Sequence, residues 1–231
     1  MAKIMYGSLA GAVSGAIGND VFSHNRFGAY LRKRVIPTKR QTTWTEAARG
    51  DLSVASKAFA SLEDENRMAW ETYAATNPIT DRLGQKQILD PHTAFVQINS
   101  RILRCGGTMV LVPPSTPPPE MPAVSSVTYD IGAGKMEVTF TPNPLADDVC
   151  LWLWGVLCNS MGIRYFGNLL KLITVADAAT ESPYDFESDL TDRFGTPTVG
   201  QHVLLRVMAC SQSSGLVSAF VDCAGEVIAS E

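Results

Sequence analysis

Cysteines and histidines are the residues of this chain with the side chains best suited to bind a metal or to act as nucleophile and base. There are five cysteines and three histidines, namely Cys105, Cys150, Cys158, Cys210, Cys223, His24, His92 and His202. No two cysteines form a CxxC pair and the histidines lie far apart, whereas structural zinc sites have closely spaced pairs of ligands. We therefore expect free, buried thiols in a reducing compartment, no metal site and no cofactor.

Two groups of carboxylates are of the type that binds calcium. Asp147 and Asp148 are adjacent, and Asp185, Glu187 and Asp189 alternate along the chain. Neither group has the D-x-D-x-D-G loop, closed by a glutamate, of an EF-hand, so we expect them on exposed loops. The G-x-S-x-G, HExxH and protein kinase motifs are absent as well. We therefore expect a protein without enzymatic activity.

The composition is that of a folded chain. It has 231 residues, of which 45% are hydrophobic and 18% charged, a length that fits one large or two small domains at roughly 100–200 residues each. No run of about 18 apolar residues occurs, so we expect no membrane-spanning helix. The first residues are rich in glycine where a secretory signal would have a hydrophobic core, which favours folding in the cytoplasm.

The net charge of −4 is distributed unevenly along the chain. Residues 1–50 carry eight Lys and Arg against two acids, whereas residues 113–231 carry five against fourteen. A basic head and an acidic tail indicate two surfaces that meet different neighbours. One pair of such neighbours is two copies of this chain meeting head to tail.

Residues 1–42 are predicted to form a glycine-rich arm followed by a basic β-hairpin. The run GSLAGAVSGAIG at residues 7–18 lacks the spacing of a phosphate-binding loop. We expect it to lie extended against another surface, because glycine permits close backbone approach. Residues 21–23 and 29–31 are short apolar segments on either side of a turn, the pattern of a hairpin.

The hairpin belongs to a basic cluster that contains no acid between Val21 and Trp44. Three interpretations stay open for it: contact with phosphate backbones, which would be salt-dependent, a solvated face, or pairing with acids of a neighbouring subunit. The cluster consists of Arg26, Arg32, Lys33, Arg34, Lys39 and Arg40.

Residues 43–112 are predicted to be a small helical domain. Thr43 and Glu46 have the spacing of a capping box, and apolar residues then recur at helical spacing to residue 62. A second helix follows and ends at Asn77-Pro78, and residues 79–89 read as a hairpin. Asp90 and Pro91 are suited to the start of a third helix, which ends at a Gly-Gly pair at 106–107.

A proline-rich linker at residues 113–122 separates this unit from a pattern of period two. Six prolines in ten residues favour a stiff, extended spacer. Residues 123–231 then contain about seven strand-like segments, and we expect an antiparallel β-sandwich that resembles an immunoglobulin or fibronectin type III module. The acidic stretch 177–192 is predicted to be a long loop with a short strand. The fold class expected is α+β, with strands at 124–129, 136–141, 149–157, 164–173, 202–210, 216–222 and 226–229.

The first half of the chain resembles a family of phage- and prophage-encoded virion structural proteins. The resemblance rests on the pattern GxxSGxxGNxVFSxNxxGxYxR at residues 11–32, followed by LxxExxxxW at 62–70, DxxG at 81–84 and FxxxN at 95–99. It implies a structural component of a tailed-phage virion, synthesised in the cytoplasm of a bacterial host, without catalytic residues. Other virion proteins of the capsid or head–tail region, and copies of itself, are the implied partners.

In that role the N-terminal segment would anchor the chain and the sandwich would project outward, as in a decoration protein. Glycines would allow close approach, aromatic rings would fill pockets, and arginines would pair with acids. Alternatives are a tail or connector ring, a nucleic-acid-binding module, which the acidic second half disfavours, and a glycan-binding module using Tyr165, Phe166 and Tyr184. The expected partner-binding residues are Gly15, Gly18, Phe22, Arg26, Tyr30, Arg32 and Arg34.

Overall fold

The structure is a computed structural model that describes residues 2–5, 12–35, 42–80, 84–130, 132–160, 162–163 and 166–228. Helices and antiparallel sheets occur together, which confirms the expected α+β class. The chain forms two compact units. The first comprises residues 1–46 and 78–88, and the second comprises residues 47–77 and 89–231.

The first unit contains a four-stranded antiparallel sheet. Its strands are β1 (Ala2–Lys3), β2 (Gly15–Ile17), β3 (Asp20–Asn25) and β4 (Gly28–Lys33), in the order β1-β4-β3-β2. The predicted hairpin is thus confirmed as β3 and β4. The same unit contains the small hairpin predicted after the second helix, formed by β5 (Ile79–Thr80) and β6 (Lys86–Gln87).

The described part of the glycine-rich run includes a strand of this sheet, and its contact with another surface stays a prediction. Gly15 to Ile17 pair with Phe22 to Asp20 of β3. Gly18 has φ of 59°, a left-handed conformation that glycine adopts without steric cost, so the chain turns back on itself there. Gly7 and Gly11 lie outside the described residues.

The three predicted helices are confirmed as α1 (Thr43–Ala60), α2 (Asp64–Thr76) and α3 (Pro91–Arg104). The capping box, however, lies one residue earlier than predicted. The backbone N–H of Thr45 donates to Thr42 Oγ1 at 3.3 Å, and that of Thr42 donates to Thr45 Oγ1 at 3.0 Å. The hydroxyl of Thr45 therefore accepts the backbone hydrogen bond that the capping-box prediction assigned to the carboxylate of Glu46.

Side chains of α2 and α3 form the helical core, together with the segment that follows α3. Trp70 and Phe95 are fully buried with ring centroids 5.2 Å apart. The indole N–H of Trp70 donates to the carbonyl oxygen of Leu111 at 2.8 Å. Buried Asn99 accepts from the N–H of Val110 and donates to its carbonyl oxygen, at 2.8 and 3.1 Å. These bonds satisfy the backbone of a segment without regular structure.

Two antiparallel sheets make up the C-terminal part. The four-stranded sheet has the order β10-β9-β12-β13 and the three-stranded sheet the order β11-β8-β7. Alternate residues of both sheets share one hydrophobic core, which includes Phe140, Leu153 and Val207. The elements are β7 (Ala123–Asp130), β8 (Lys135–Thr141), β9 (Val149–Cys158), β10 (Lys171–Ala178), β11 (Tyr184–Asp185), α4 (Glu187–Phe194), β12 (His202–Ser211) and β13 (Val217–Glu226).

Three predictions in this region need correction. The strand expected at 164–173 begins only at Lys171, because residues 167–169 form a turn. The strand expected at 216–222 extends to Glu226 as β13, which pairs with β12, whereas the separate strand expected at 226–229 is reduced, among the described residues, to an isolated bridge of Ile228 with Asp130. The acidic stretch contains helix α4 as well as the short strand. One side of this helix packs against the shared core, where Leu190 is fully buried.

Helix α3 lies directly against the turn between β12 and β13. The side-chain amide of Gln212 donates to the carbonyl oxygen of Cys105, at the end of α3, at 2.8 Å. Gly215, at φ 65°, leaves room for Ile98 and Ile102, because a Cβ there would lie 2.6 Å from the Ile98 carbonyl oxygen. The helices and the two sheets therefore belong to one compact unit, and residues 113–122 connect parts of it. The division into a helical domain at 43–112 and a sandwich domain at 123–231 stays a prediction.

We expect Gly215→Ala to lower the free energy of unfolding by about 2 kcal/mol or more, because it combines a left-handed backbone with a clash. Gly50→Ala is the matched control: it lies in α1 with no atom within 4 Å of a new Cβ, and alanine favours helix by about 0.5–1 kcal/mol. Urea unfolding measures both. A Gly215→Ala variant as stable as the parent chain would contradict the packing described.

Candidate interaction surface

The pairing register of the N-terminal sheet assigns its side chains to two faces. In the pairing of β3 with β4, Val21 is opposite Arg32 and Ser23 is opposite Tyr30. In the pairing of β1 with β4, Lys3 is opposite Tyr30. Residues directly opposite each other in an antiparallel pair share a face, and successive residues alternate. Lys3, Tyr30 and Arg32 therefore lie on one face, here called the basic face.

The predicted partner-binding residues do not all lie on the basic face. Phe22 is opposite Leu31 on the other face of the sheet. Arg26 lies in the tight turn between β3 and β4, with its guanidinium 4.9 Å from the ring centroid of Phe27. Arg34 follows β4, and its backbone N–H donates to the carbonyl oxygen of Asn19 at 2.6 Å. Gly15 begins β2 and Gly18 forms the turn after it.

This sheet has no hydrophobic core of its own among the described residues. The three hydrophobic clusters formed by the described part of the chain contain no residue of the first unit. Within its four strands only Ala29 is buried among the described side chains, while Ile17 is 69% exposed. A small sheet needs a covered hydrophobic face to be stable in water. This sheet therefore has surface that a partner could cover.

The sheet is also strongly basic. Described residues 2–5 and 12–35 contain five lysines and arginines and a single acid, Asp20. Helix α4 in the second unit has the opposite charge, with Glu187, Asp189 and Asp192 in eight residues and Asp185 just before it. The Asp185 carboxylate accepts the backbone N–H of Glu187 at 3.0 Å, and Glu187 and Asp189 lie in the first turn of the helix, where negative charge is favoured.

Metal-ligand chemistry was the first possibility that the side chains suggested. Among the residues that the structure describes, no group of three or more His, Cys, Asp or Glu could hold a metal ion. Asp148 instead accepts hydrogen bonds from the hydroxyls of Ser211, at 2.9 Å, and Ser213, at 2.5 Å. These bonds connect the residue before β9 to the end of β12 and the turn that follows it, so the Asp148 carboxylate stabilises the contact between these segments.

His92 has a partner that the sequence analysis missed. Its Nε2 lies 3.0 Å from Ser56 Oγ, across the interface between α1 and α3. In enzymes that use covalent catalysis, a serine nucleophile lies within hydrogen-bond distance of a histidine that acts as its general base. His92 packs edge-on against Phe59 as well, with centroids 5.1 Å apart. The pair is therefore part of the contact between two helices. The sequence did not predict it because the two residues are 36 positions apart.

Three of the five cysteines converge, which the sequence did not predict. Cys105 follows α3, while Cys150 and Cys210 are directly opposite each other on β9 and β12. The indole N–H of Trp152 donates to Cys105 Sγ at 3.1 Å. Hydrogen bonds from the thiols of Cys150 and Cys210, followed by that of Trp152, lower the pKa of Cys105 against the opposing effect of burial. The pKa values of the two donor thiols are raised for the same reason.

The aromatic residues predicted for a glycan-binding surface do not identify one. Tyr184 packs partly against the shared core of the two sheets, and burial raises its pKa. Phe166 precedes the turn before β10, and Tyr165 lies outside the described residues. The described surface instead has an arginine, Arg206, whose guanidinium lies 3.7 Å from the centroid of Phe220 and forms two hydrogen bonds with Asp222.

Among the described residues, no helix is both long and apolar enough to cross a lipid bilayer. The chain was also compared with models of protein families, with curated proteins and with solved structures, and none of these comparisons found a match.

We expect Ser56 to be structural. Ser56→Ala should lower the free energy of unfolding by about 1 kcal/mol through loss of the hydrogen bond to His92, as measured by urea unfolding. Ser53→Ala, at an exposed position of the same helix, is the control and should change stability by less than about 0.5 kcal/mol. A fluorophosphonate reagent should leave Ser56 unmodified, and covalent labelling of that serine would contradict a non-enzymatic role.

Proposed function

We propose that this chain is a non-enzymatic structural component of a tailed-phage virion, and most specifically a decoration or auxiliary head protein. Its N-terminal sheet would bind the capsid or the head–tail region, and its C-terminal sandwich would project outward. The observation that carries the proposal is the N-terminal sheet without a hydrophobic cluster among the described residues. The sequence resemblance at residues 11–32 supplies the kind of particle.

The exposed sheet supports an anchoring role through its edges as well as its faces. The outer strands β1 and β2 are two and three residues long, and among the described residues each has one edge without a neighbouring strand. Extended segments of a partner bind such edges by adding a strand, with backbone hydrogen bonds that give affinity. Surface apolar residues such as Ile17 would become buried in the same contact.

The charge of the sheet favours an acidic protein surface as its partner. Lys3 and Arg32 share the basic face with Tyr30, and Arg34 lies just after the end of β4. The planar guanidinium of arginine forms two parallel hydrogen bonds with a carboxylate and also stacks on aromatic rings. The acidic second half of the chain would repel a nucleic acid, so of the three interpretations of the basic cluster we propose pairing with acids of a neighbouring subunit.

We propose further that the two C-terminal sheets form a module of the immunoglobulin or fibronectin type III kind. In such modules the third, sixth and seventh strands pair in one sheet, and the first two lie in the other. Here β9, β12 and β13 are consecutive neighbours, while β7 and β8 pair in the second sheet with β11. The pairing of β10 with β9 adds the extra strand found beside the third strand in variable-type domains.

The anchoring proposal predicts that charge removal from the sheet abolishes incorporation into particles. We expect the triple variant R26Q/R32Q/R34Q to fold with unchanged stability, because none of the three residues belongs to a hydrophobic cluster. It should be absent from purified particles of the encoding phage, as should a chain that lacks residues 1–41. Quantitative mass spectrometry of the particles measures incorporation, and thermal unfolding of the purified chains checks the fold.

The matched control is R49Q/K57Q/K135Q, which removes the same charge from exposed positions outside the sheet. It should enter particles at the parental level. Normal incorporation of the truncated chain would overturn the anchoring proposal. Loss of incorporation in the control as well would show that net charge, and not the basic sheet, is required. A salt-sensitive ring of purified chains would favour the tail or connector alternative.

A further inference from the structure

The three convergent thiols come from different parts of the second unit. Cys105 ends α3, whereas Cys150 and Cys210 project from neighbouring strands of the four-stranded sheet. The thiol of Cys150 lies 3.8 Å from the carbonyl oxygen of Cys105. Cys105 is 7% exposed, and the other two are fully buried. All five cysteines are free thiols, so this cluster is a reduced site with three possible pairings.

We propose that Cys105 is a redox-active thiol that forms a disulfide with Cys150 or Cys210, cross-linking the end of α3 to the four-stranded sheet. This inference does not depend on the virion role. Cys105 is the natural first reactant because it is the only one of the three with any exposed surface, and because the indole of Trp152 donates a hydrogen bond to its sulfur. Such donors stabilise a thiolate, which is the nucleophilic form of cysteine.

A peroxide is the oxidant that this geometry accommodates, because it is small enough to reach a nearly buried sulfur. The Cys105 thiolate attacks one peroxide oxygen; an S–O bond forms, the O–O bond breaks, and hydroxide leaves. The sulfur of Cys150 or Cys210 then attacks the sulfenic acid, the S–S bond forms, and the S–O bond breaks. The attacking thiol loses its proton, and the departing oxygen leaves as water. Two thiols are oxidised and one peroxide is reduced by two electrons.

The surroundings favour a disulfide over other outcomes. Cys105, Cys150 and Cys210 pack in one cluster, and the thiol of Cys150 donates to the carbonyl oxygen of Cys105 at 3.8 Å, so the second thiol lies close to a sulfenic acid formed at Cys105. The guanidinium of Arg101 interacts electrostatically with Cys210, and burial lowers the pKa of Arg101. This cation opposes the rise in the pKa of Cys210 that its hydrogen bond to Cys105 and burial cause. Cys158 and Cys223 do not belong to this cluster.

The test is oxidation of the full chain by hydrogen peroxide, followed by acid quenching, alkylation of free thiols under denaturing conditions and peptide mapping. We expect loss of two of the five thiols, a linked peptide pair that contains Cys105 with Cys150 or Cys210, and recovery of all five thiols with dithiothreitol. A link between Cys150 and Cys210, any link to Cys158 or Cys223, or irreversible sulfinic acid without a link would overturn the proposal.

Two variants sharpen the test. Cys105→Ser keeps an oxygen that can accept the Trp152 N–H and should lose the cross-link, leaving four free thiols after oxidation. Cys223→Ser removes a thiol outside the cluster and should form the cross-link to the same extent as the parent chain. Retention of a disulfide in Cys105→Ser would contradict the assignment. If that variant does not fold, peptide mapping of the parent chain and of Cys223→Ser decides between the pairings.

Discussion

The contact between the end of helix α3 and the β12–β13 turn is the interaction on which the second unit depends. A helix end leaves carbonyl groups without intrahelical partners, and Gln212 provides one for Cys105 at 2.8 Å. The approach is close enough that Gly107 and Gly215 have no space for a side chain. This contact brings Cys105 over the strands that contain Cys150 and Cys210, so the thiol cluster exists only because the helix and the sheet pack together.

The two units differ in how much of their apolar surface is buried in hydrophobic clusters. The second unit buries large side chains in three clusters, among them Trp70, Phe140 and Trp152. The described residues of the first unit contribute to none of these clusters, although backbone pairing connects its four strands. Burial of apolar surface is the main favourable term in folding. The described part of the first unit therefore has apolar surface that none of these clusters covers.

Local patterns predicted the elements well, and non-local contacts explain what they missed. Asn77-Pro78 and Asp90-Pro91 delimited α2 and α3 because the backbone geometry of proline acts within a few residues. Helix α4 was missed because its burial depends on Leu190 meeting the shared core. The thiol cluster and the pair of Ser56 with His92 join residues 36 or more positions apart, and only the packing and strand register bring them together.

Amide hydrogen–deuterium exchange of the purified chain, alone and in assembled particles, tests the central claim that the N-terminal sheet needs a partner. In the free chain we expect amides of β3 and β4 to exchange much faster than those of β9 and β12, since exchange protection follows local stability. In particles the amides of β3 and β4 should become protected while those of β9 and β12 stay unchanged. Equal protection of all four strands in the free chain would contradict the account.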